Sequence, residues 1–430
     1  MSARILIVSN NCLAKQNSNG RTLLNLLGGF EGRELYQFYV ATEVPREATC
    51  AKFLRITDRD VIRSYTSFKG RRSLWEGDLP EEDMPISAAG AGYGRKTALK
   101  SFVRDILWNA SAWVKRALLR FVRDNEIDLV LLQAGDNVFL HRLARRVAKA
   151  CRIPLLIYNT EDYYFKDYDY MKKTMGAGFA YRLYHRFFCR EFKRLIGASS
   201  REVYNCRGLE ELYNTTFGRA GATVYSSTDF TPVEHIREDG LVSYAGNLGC
   251  GRHRVLMRIG ELLQALSPDL YLDVYGPAGE QVIEDFKKCE GIRYHGFVSY
   301  SEVCRVIEGS RLLVHVESFD EYYRRDTRFA FSTKLADYGA SNIPVLLCAP
   351  ASCEAYSYIA RNETAFVAAD EAEMANALLR ALYDGEERER VRGRALALSQ
   401  ENNDYKKNGK RFKEIIEEVL HDRDKTRKGE

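Results

Sequence analysis

Short apolar runs rich in β-branched residues alternate along this chain with longer segments of helical period, and this alternation restricts the fold more than any other feature. Ile5 to Val8 is one such run. A polar loop with Asn17, Ser18, Asn19 and Gly20 follows it, then the helical pattern Leu23, Leu24, Leu26, Leu27. The same grammar recurs at Asp128 to Leu132, a loop through Gly135 and Asp136, a helix from about Phe139 to Ala150, and a strand from Pro154 to Tyr158. A second series begins with the strand Leu241 to Ala245, the loop Gly246 to Gly251 and a helix through Leu266. It continues with strands Tyr271 to Tyr275 and Ile292 to His295, a helix after Ser301, strand Leu312 to Val316, a helix from about Thr333 to Ala340, and strand Pro344 to Cys348. Strands separated by helices form parallel sheets, so the expected class is α/β with two doubly wound halves. Ligands of such sheets sit beyond the carboxyl ends of the strands, and two facing halves leave one cleft.

A length of 430 residues agrees with two domains of roughly 200 residues each. Val224 to Glu238 lacks a clean period and carries a proline, which places the linker there. The expected domains are 1–226 and 238–402, with a last helix over 403–430 packing Phe412, Ile415, Ile416, Val419 and Leu420 back on the first domain. With 64 Lys plus Arg against 59 Asp plus Glu, charge is too balanced for the whole surface to bind nucleic acid, so basic function has to be local. The ten cysteines include no C-x-x-C pair and read as reduced thiols, and Ile5 to Val8 is too short for a signal-peptide core. The expected location is the cytoplasm.

Two segments could hold phosphate. Phe331 to Ala340 (FSTKLADYGA) reads as a helix opened by a Ser332 or Thr333 cap, with free backbone N–H groups, the point charge of Lys334, and in Asp337 a carboxylate suited to the paired hydroxyls of a ribose. The bland alternative is a capped helix with a solvated Lys and Asp. Tyr244 to Arg252 (YAGNLGCGR) runs from a strand into a Gly-rich turn at a helix start, where Arg252 could fork onto a diphosphate. It lacks the Gly-Lys-Ser/Thr of a Walker loop and the G-x-G-x-x-G of a dinucleotide site.

Gly246 to Leu248, Tyr275-Gly276-Pro277, Gly296-Phe297-Val298 and Ser332 to Val345, in that order and spacing, resemble the retaining, nucleotide-sugar-dependent glycosyltransferases of the GT-B fold, family 4-like, over about residues 241 to 370. The resemblance implies that Gly246 and Asn247 line the donor diphosphate, that Arg252 and Lys334 stabilise it as a leaving group, and that Ser332 and Thr333 offer backbone amides. It also implies that Tyr275 and Phe297 hold the nucleobase and Asp337 the ribose. The family's pattern has an acid eight positions before the ribose carboxylate. Phe329 stands there, and Glu317, upstream of an apparent insertion Tyr322 to Arg328, becomes the acidic catalytic candidate. Arg324, Arg325 or Arg328 would compensate for Asn247 where family members often carry Arg. The implied activity is transfer of a sugar, with retention, from a nucleotide diphosphate, UDP favoured over GDP, to a saccharide or lipid-linked acceptor in cell-surface polysaccharide or glycolipid assembly. No cofactor or metal is implied, since cations and helix ends can stabilise the departing diphosphate. A nucleotide-sugar epimerase on the same architecture, or a non-catalytic descendant that binds nucleotide or a partner, are the rival readings.

In the first half, Asn19 and Gly20 after the first strand, and Glu161 and Asp162 after a later one, are the acceptor candidates, with helix capping as the plain alternative for the two acids. Leu99 to Phe121 carries an apolar stripe at three-four spacing, and residues 95–123 hold eight Lys or Arg against Asp105 alone. A second basic, aromatic stretch spans 163–196. Either these stripes fill the core or they dock on an anionic membrane, which would place the protein at its inner face.

Overall fold

The computed structural model describes residues 3–14, 18–45, 49–66, 75–77 and 96–428. Two compact units divide them: Met1–Tyr225 with Asn408–Glu430, and Ser226–Lys407. In the first, eight strands form one sheet: β1 (Ile5–Ser9), β2 (Leu35–Tyr39), β3 (Lys52–Arg55), β4 (Trp75–Gly77), β5 (Leu129–Ala134), β6 (Leu155–Asn159), β7 (Arg201–Tyr204) and β8 (Ala222–Thr223). Their spatial order is β4-β3-β2-β1-β5-β6-β7-β8, all parallel except the pairing of β3 with β4. Order reverses at β1, which pairs Ile5 with both Leu35 and Leu129.

The second unit repeats the plan with β9 (Leu241–Ala245), β10 (Leu272–Tyr275), β11 (Ile292–Gly296), β12 (Ser310–Val316), β13 (Val345–Cys348) and β14 (Phe366–Ala368), in the order β11-β10-β9-β12-β13-β14. Every strand pair here is parallel. Central parallel strands are covered by helices on both faces, so all five residues of β1 and all four of β13 are buried, and such strands read as unbroken apolar runs. Fold class is therefore α/β with two doubly wound sheets.

Four sequence expectations change on folding. The segment read as a linker, 224–238, contains the division between the units at Tyr225 and Ser226, but beyond it the chain is a strap fixed to the second unit: Thr228 N–H donates to Asn403 O at 2.8 Å, and Val233 N–H to Ser341 O at 2.9 Å. Asn19 and Gly20 belong to a helix, Ser18–Leu26, rather than to a loop. The stripe through residues 99–121 breaks into two helices, Ala98–Ala110 and Ala112–Asp124, because the Ser111 hydroxyl accepts from Val114 N–H and starts the second. The apparent insertion is a one-and-a-half-turn helix, Glu321–Asp326, opened by the Asp320 carboxylate accepting from the amides of Tyr322 and Tyr323.

The last helix, Tyr405–Lys428, places Phe412, Ile415, Ile416 and Val419 in the first unit's core with Ile5, Leu23 and Leu129. Its backbone comes unusually near the Gly28-Gly29 turn, since a Cβ built on Gly409 would lie 2.6 Å from Gly29 N. Gly29 has the reciprocal problem, its Cβ meeting Gly409 O at 2.5 Å. Backbone meeting backbone leaves no side chain to swing away. Gly409→Ala should therefore lower stability by about 1–3 kcal/mol, the usual cost of overpacking, read as a drop in the urea midpoint. An unchanged midpoint would contradict this packing.

Candidate anion-binding site

The carboxyl ends of β9, β10 and β12 bring the second unit's chemistry-bearing residues together. After β9 the chain enters the turn Gly246–Gly251, and the helix Arg252–Leu266 begins. Gly276, following β10, approaches this turn so closely that a Cβ there would sit 1.9 Å from Gly246 O, while Gly246 N–H donates to Tyr275 O at 2.8 Å. Gly251 has φ +73°, and a side chain there would strike Ser318 and the Tyr323 ring. These two close approaches explain the glycines at 276 and 251.

Arg252 is aimed by Glu317, one residue beyond β12. Its Nε donates to Oε2 at 3.1 Å, and Nη2 donates to Oε1 at 2.9 Å and to Oε2 at 2.8 Å. Glu317 is 1% exposed. Burial alone would raise its pKa, but the Arg252 guanidinium outweighs that and holds the carboxyl at about 2. The same pairing pushes the Arg252 pKa further up against desolvation. His315, fully buried with Nε2 3.6 Å from Glu317 Oε1, is held down at about 4 chiefly by burial and is neutral at pH 7. Glu317 thus serves Arg252, and much of the arginine's charge is already matched, unlike the free diphosphate clamp expected from the sequence.

Lys334 is different. Its stem is partly exposed, but Nζ is buried, has no hydrogen-bond partner, and lies 4.0 Å from the centroid of the Tyr244 ring. Nζ also sits 2.5 Å from where a Gly246 Cβ would be, which puts the ammonium against the glycine turn. Burial first, and the Arg252 charge second, push its pKa down to about 7, with Glu317 opposing. A buried ammonium without an acceptor is costly unless an anion joins it. Tyr338, one turn further along the same helix, ties that helix to β9: Ala245 N–H donates to its hydroxyl at 3.2 Å.

Both helix starts use some of their backbone N–H groups locally. Thr333 precedes the helix Lys334–Ala340 in an αR conformation with no side-chain cap, and the amides of Leu335 and Ala336 donate to Ser332 O and Thr333 O. At the other helix, Arg252 N–H and Arg254 N–H are taken by Gly249 O and Gly251 O. Asn247 is exposed and folds back, its Oδ1 accepting from Gly249 N–H at 2.8 Å.

Asp337 is also differently employed. Only 4% exposed, its Oδ1 accepts from Thr228 Oγ1 at 2.6 Å and from the Tyr300 hydroxyl at 3.4 Å, so hydroxyls of the protein itself occupy the carboxylate proposed for a ribose. Tyr275 stacks on His295, with ring centroids 4.5 Å apart at 11°, and His295 Nε2 lies 2.7 Å from Asp273 Oδ1. Phe297, after β11, is 73% exposed and open to stacking.

In the first unit, Gly20 is buried on its helix, while the side chain of Asn19 lies outside the described part of the chain, as do Asn17 and Arg95. Asp162 stands at the N-cap position of a short 3-10 helix, Tyr163–Phe165, without a side-chain capping bond to it. Glu161 and Asp162 both approach Lys166, whose Nζ is 3.5 Å from Asp162 Oδ1 and 3.9 Å from Glu161 Oε2, beneath the rings of Tyr163 and Tyr170. Sequence reading missed Lys166, Tyr244, His315 and Tyr338. The aromatic residue two positions before Gly246 was the one available signal. Among the described residues, no cluster of three or more His, Cys, Asp or Glu could hold a metal ion.

Residues 254–416 match a family model described as glycosyl transferase-like. No curated protein sequence matches the chain. Solved structures share its fold: HepE of Anabaena in complex with UDP and glucose, 11% identical, TM-score 0.64, covering 96% of this chain and 99% of that one. Sucrose-phosphate synthase of Thermosynechococcus elongatus is 10% identical with TM-score 0.64, over 97% and 99%. The N-terminal domain of Candida albicans trehalose-6-phosphate phosphatase is 10% identical with TM-score 0.60, over 98% and 97%. The two-sheet α/β architecture is that of GT-B glycosyltransferase structures.

Two substitutions test the electrostatics directly. Glu317→Ala leaves a buried guanidinium without its carboxylate and should cost about 3–5 kcal/mol in urea unfolding. Lys334→Met should instead stabilise the empty protein, by about 1–3 kcal/mol, because it removes an unpaired buried ammonium. The sign with pH follows: the folded pKa of about 7 lies below the ordinary 10.5, so the unfolded chain holds more protons between them and wild-type stability rises across that window. The advantage of Lys334→Met should accordingly be largest below pH 7 and shrink toward pH 10.

Proposed function

We propose that this chain transfers a sugar from a nucleotide diphosphate donor, with UDP favoured as the nucleotide, and that the second unit binds the donor's diphosphate. The observation that carries the reading is the buried, unpartnered ammonium of Lys334, a residue within the segment that matches the glycosyl transferase-like model, set against a glycine turn just before that segment. An anion arriving there would supply the missing acceptor. HepE, which shares the fold, was solved with UDP and with UDP-glucose, and this supports uridine as the base.

In the proposed reaction the bond between the anomeric carbon and the diphosphate oxygen breaks, and the electron pair leaves with the diphosphate. Lys334 supplies the positive charge that stabilises it, while Arg252, its charge largely matched by Glu317, contributes less. The acceptor hydroxyl attacks the same carbon and its proton passes to the departing phosphate, which yields retained configuration without a dedicated protein base or a metal. Exposed Phe297 is the residue that stacks the base. The acceptor is a saccharide or a lipid-linked sugar of a surface polysaccharide or glycolipid.

Thermal shift with UDP, GDP and inorganic phosphate tests the donor site. UDP should raise the melting temperature, and Lys334→Met should abolish the shift while itself melting higher. Because the empty-site pKa of Lys334 is about 7, binding takes up a proton above that pH, and UDP affinity should fall toward tenfold per unit between pH 7 and 9. UDP's own terminal phosphate is already ionised in that range. A pH-independent affinity, or a UDP shift that survives Lys334→Met, would remove the assignment. Conversion of a nucleotide sugar without any acceptor would point to an epimerase instead.

A further inference from the structure

The stripes that the sequence could assign either to core or to membrane divide cleanly in the structure. Trp108 is buried, its Nε1 donating to Asp58 Oδ1 at 2.6 Å, and Val114, Leu118, Tyr184, Phe188 and Phe192 are buried too. What remains outside is a different set. Leu99, Val103 and Ile106 of the Ala98–Ala110 helix are 67%, 47% and 51% exposed, and Phe179 and Leu183 of the Phe179–Ile196 helix 77% and 57%. The spacings i, i+4, i+7 and i, i+4 place each group on one outward helix face. The two helices lie against one another through the Phe102 and Phe187 rings, 5.4 Å apart, so these faces are neighbours. A third helix, Asp58–Thr66, joins on the other flank through the Tyr65 hydroxyl, which donates to Leu107 O at 2.6 Å, and it adds the exposed Ile62. Isolated exposed apolar residues are ordinary, but a contiguous group on three adjoining helices marks an interaction surface.

Charge identifies the partner. Every exposed side chain on these three helices that is charged at neutral pH is basic: Arg59, Arg63, Lys100, and on the Phe179–Ile196 helix Arg182, Arg186, Arg190, Lys193 and Arg194. The acids are turned inward. Asp58 pairs with Arg104 at 2.8 Å, Asp60 bonds Thr57, Asp105 accepts from Phe139 N–H, and Glu191 pairs with Arg142 at 2.9 Å. A second copy of this surface would set like charges against like. Aliphatic side chains surrounded by cations suit instead a layer that is apolar inside and anionic at its surface.

We propose that the outward faces of the Asp58–Thr66, Ala98–Ala110 and Phe179–Ile196 helices dock the protein on an anionic lipid bilayer, with Leu99, Val103, Phe179 and Leu183 entering the acyl boundary and the surrounding arginines contacting lipid phosphates. The proposal goes beyond the donor site and does not depend on it, since its test involves no nucleotide.

Flotation of the full chain with vesicles of phosphatidylglycerol and phosphatidylcholine in equal parts, against phosphatidylcholine alone, reads the interaction. Wild type should float with the anionic vesicles and bind neutral ones on the order of tenfold less, and salt should weaken the binding. Leu99→Ser with Phe179→Ser and Leu183→Ser should reduce anionic binding at least tenfold, as should Arg182→Glu with Arg186→Glu, with melting temperatures unchanged because all five side chains are exposed. No flotation, equal flotation with neutral vesicles, or binding unaffected by both sets would overturn the proposal. So would light scattering that shows a wild-type dimer broken by the serine substitutions without vesicle binding.

Discussion

A buried carboxylate has to be neutralised, and at the end of β12 that requirement organises the second unit's chemistry. Glu317 has almost no access to water, so it needs the two-pronged guanidinium of Arg252. Arg252 opens a long helix, and its side chain reaches Glu317 only because the glycine turn lets the backbone pass close to Gly276 and Ser318. With the pair formed, the local charge is balanced, and Lys334 stands as an additional cation whose ammonium is enclosed by Tyr244 and the turn. Its low pKa expresses the same situation: burial and a neighbouring cation disfavour its charge, and only Glu317 favours it.

Such a site is costly to the empty fold. Natural proteins commonly tolerate that cost where a ligand repays it. The second unit also secures the surroundings of Lys334 more firmly than a surface lysine would require. Tyr338 holds its helix to β9, and Asp337 holds the same helix to the strap at Thr228. Neighbouring residues of one short helix thus fix its two sides, and this leaves the Lys334 side chain little freedom to leave the turn.

Much of the architecture was legible in the chain. Strands β1, β5, β6, β9, β10, β12 and β13 fall within a residue or two of the apolar runs, because a strand covered on both faces has to be apolar throughout. Glycines at 246, 251 and 276 signalled a close backbone approach, and that is what they permit. Less legible were the uses of charge. Arg252 and Lys334 stood out as cations, but Glu317 lies 65 residues from Arg252, and nothing local marks the two as partners. Asp337 looked available for the same reason: its hydroxyl donors come from Thr228 and Tyr300, far away in sequence. The membrane-like stripes misled in part, since a three-four period reports that a helix has an apolar face and is silent on whether a neighbour covers it.

By itself, then, the sequence determined the succession of strands and helices, the parallel class of the sheets and the glycine turns, because burial period and backbone conformation are encoded over a few adjacent residues. Tertiary structure alone decided that Glu317 neutralises Arg252, that Lys334 is left without an acceptor, that Asp337 clamps the strap, and which apolar faces stay outside. Those outcomes depend on distances across the fold and on the low dielectric of a packed interior, and both exist only after the elements have assembled.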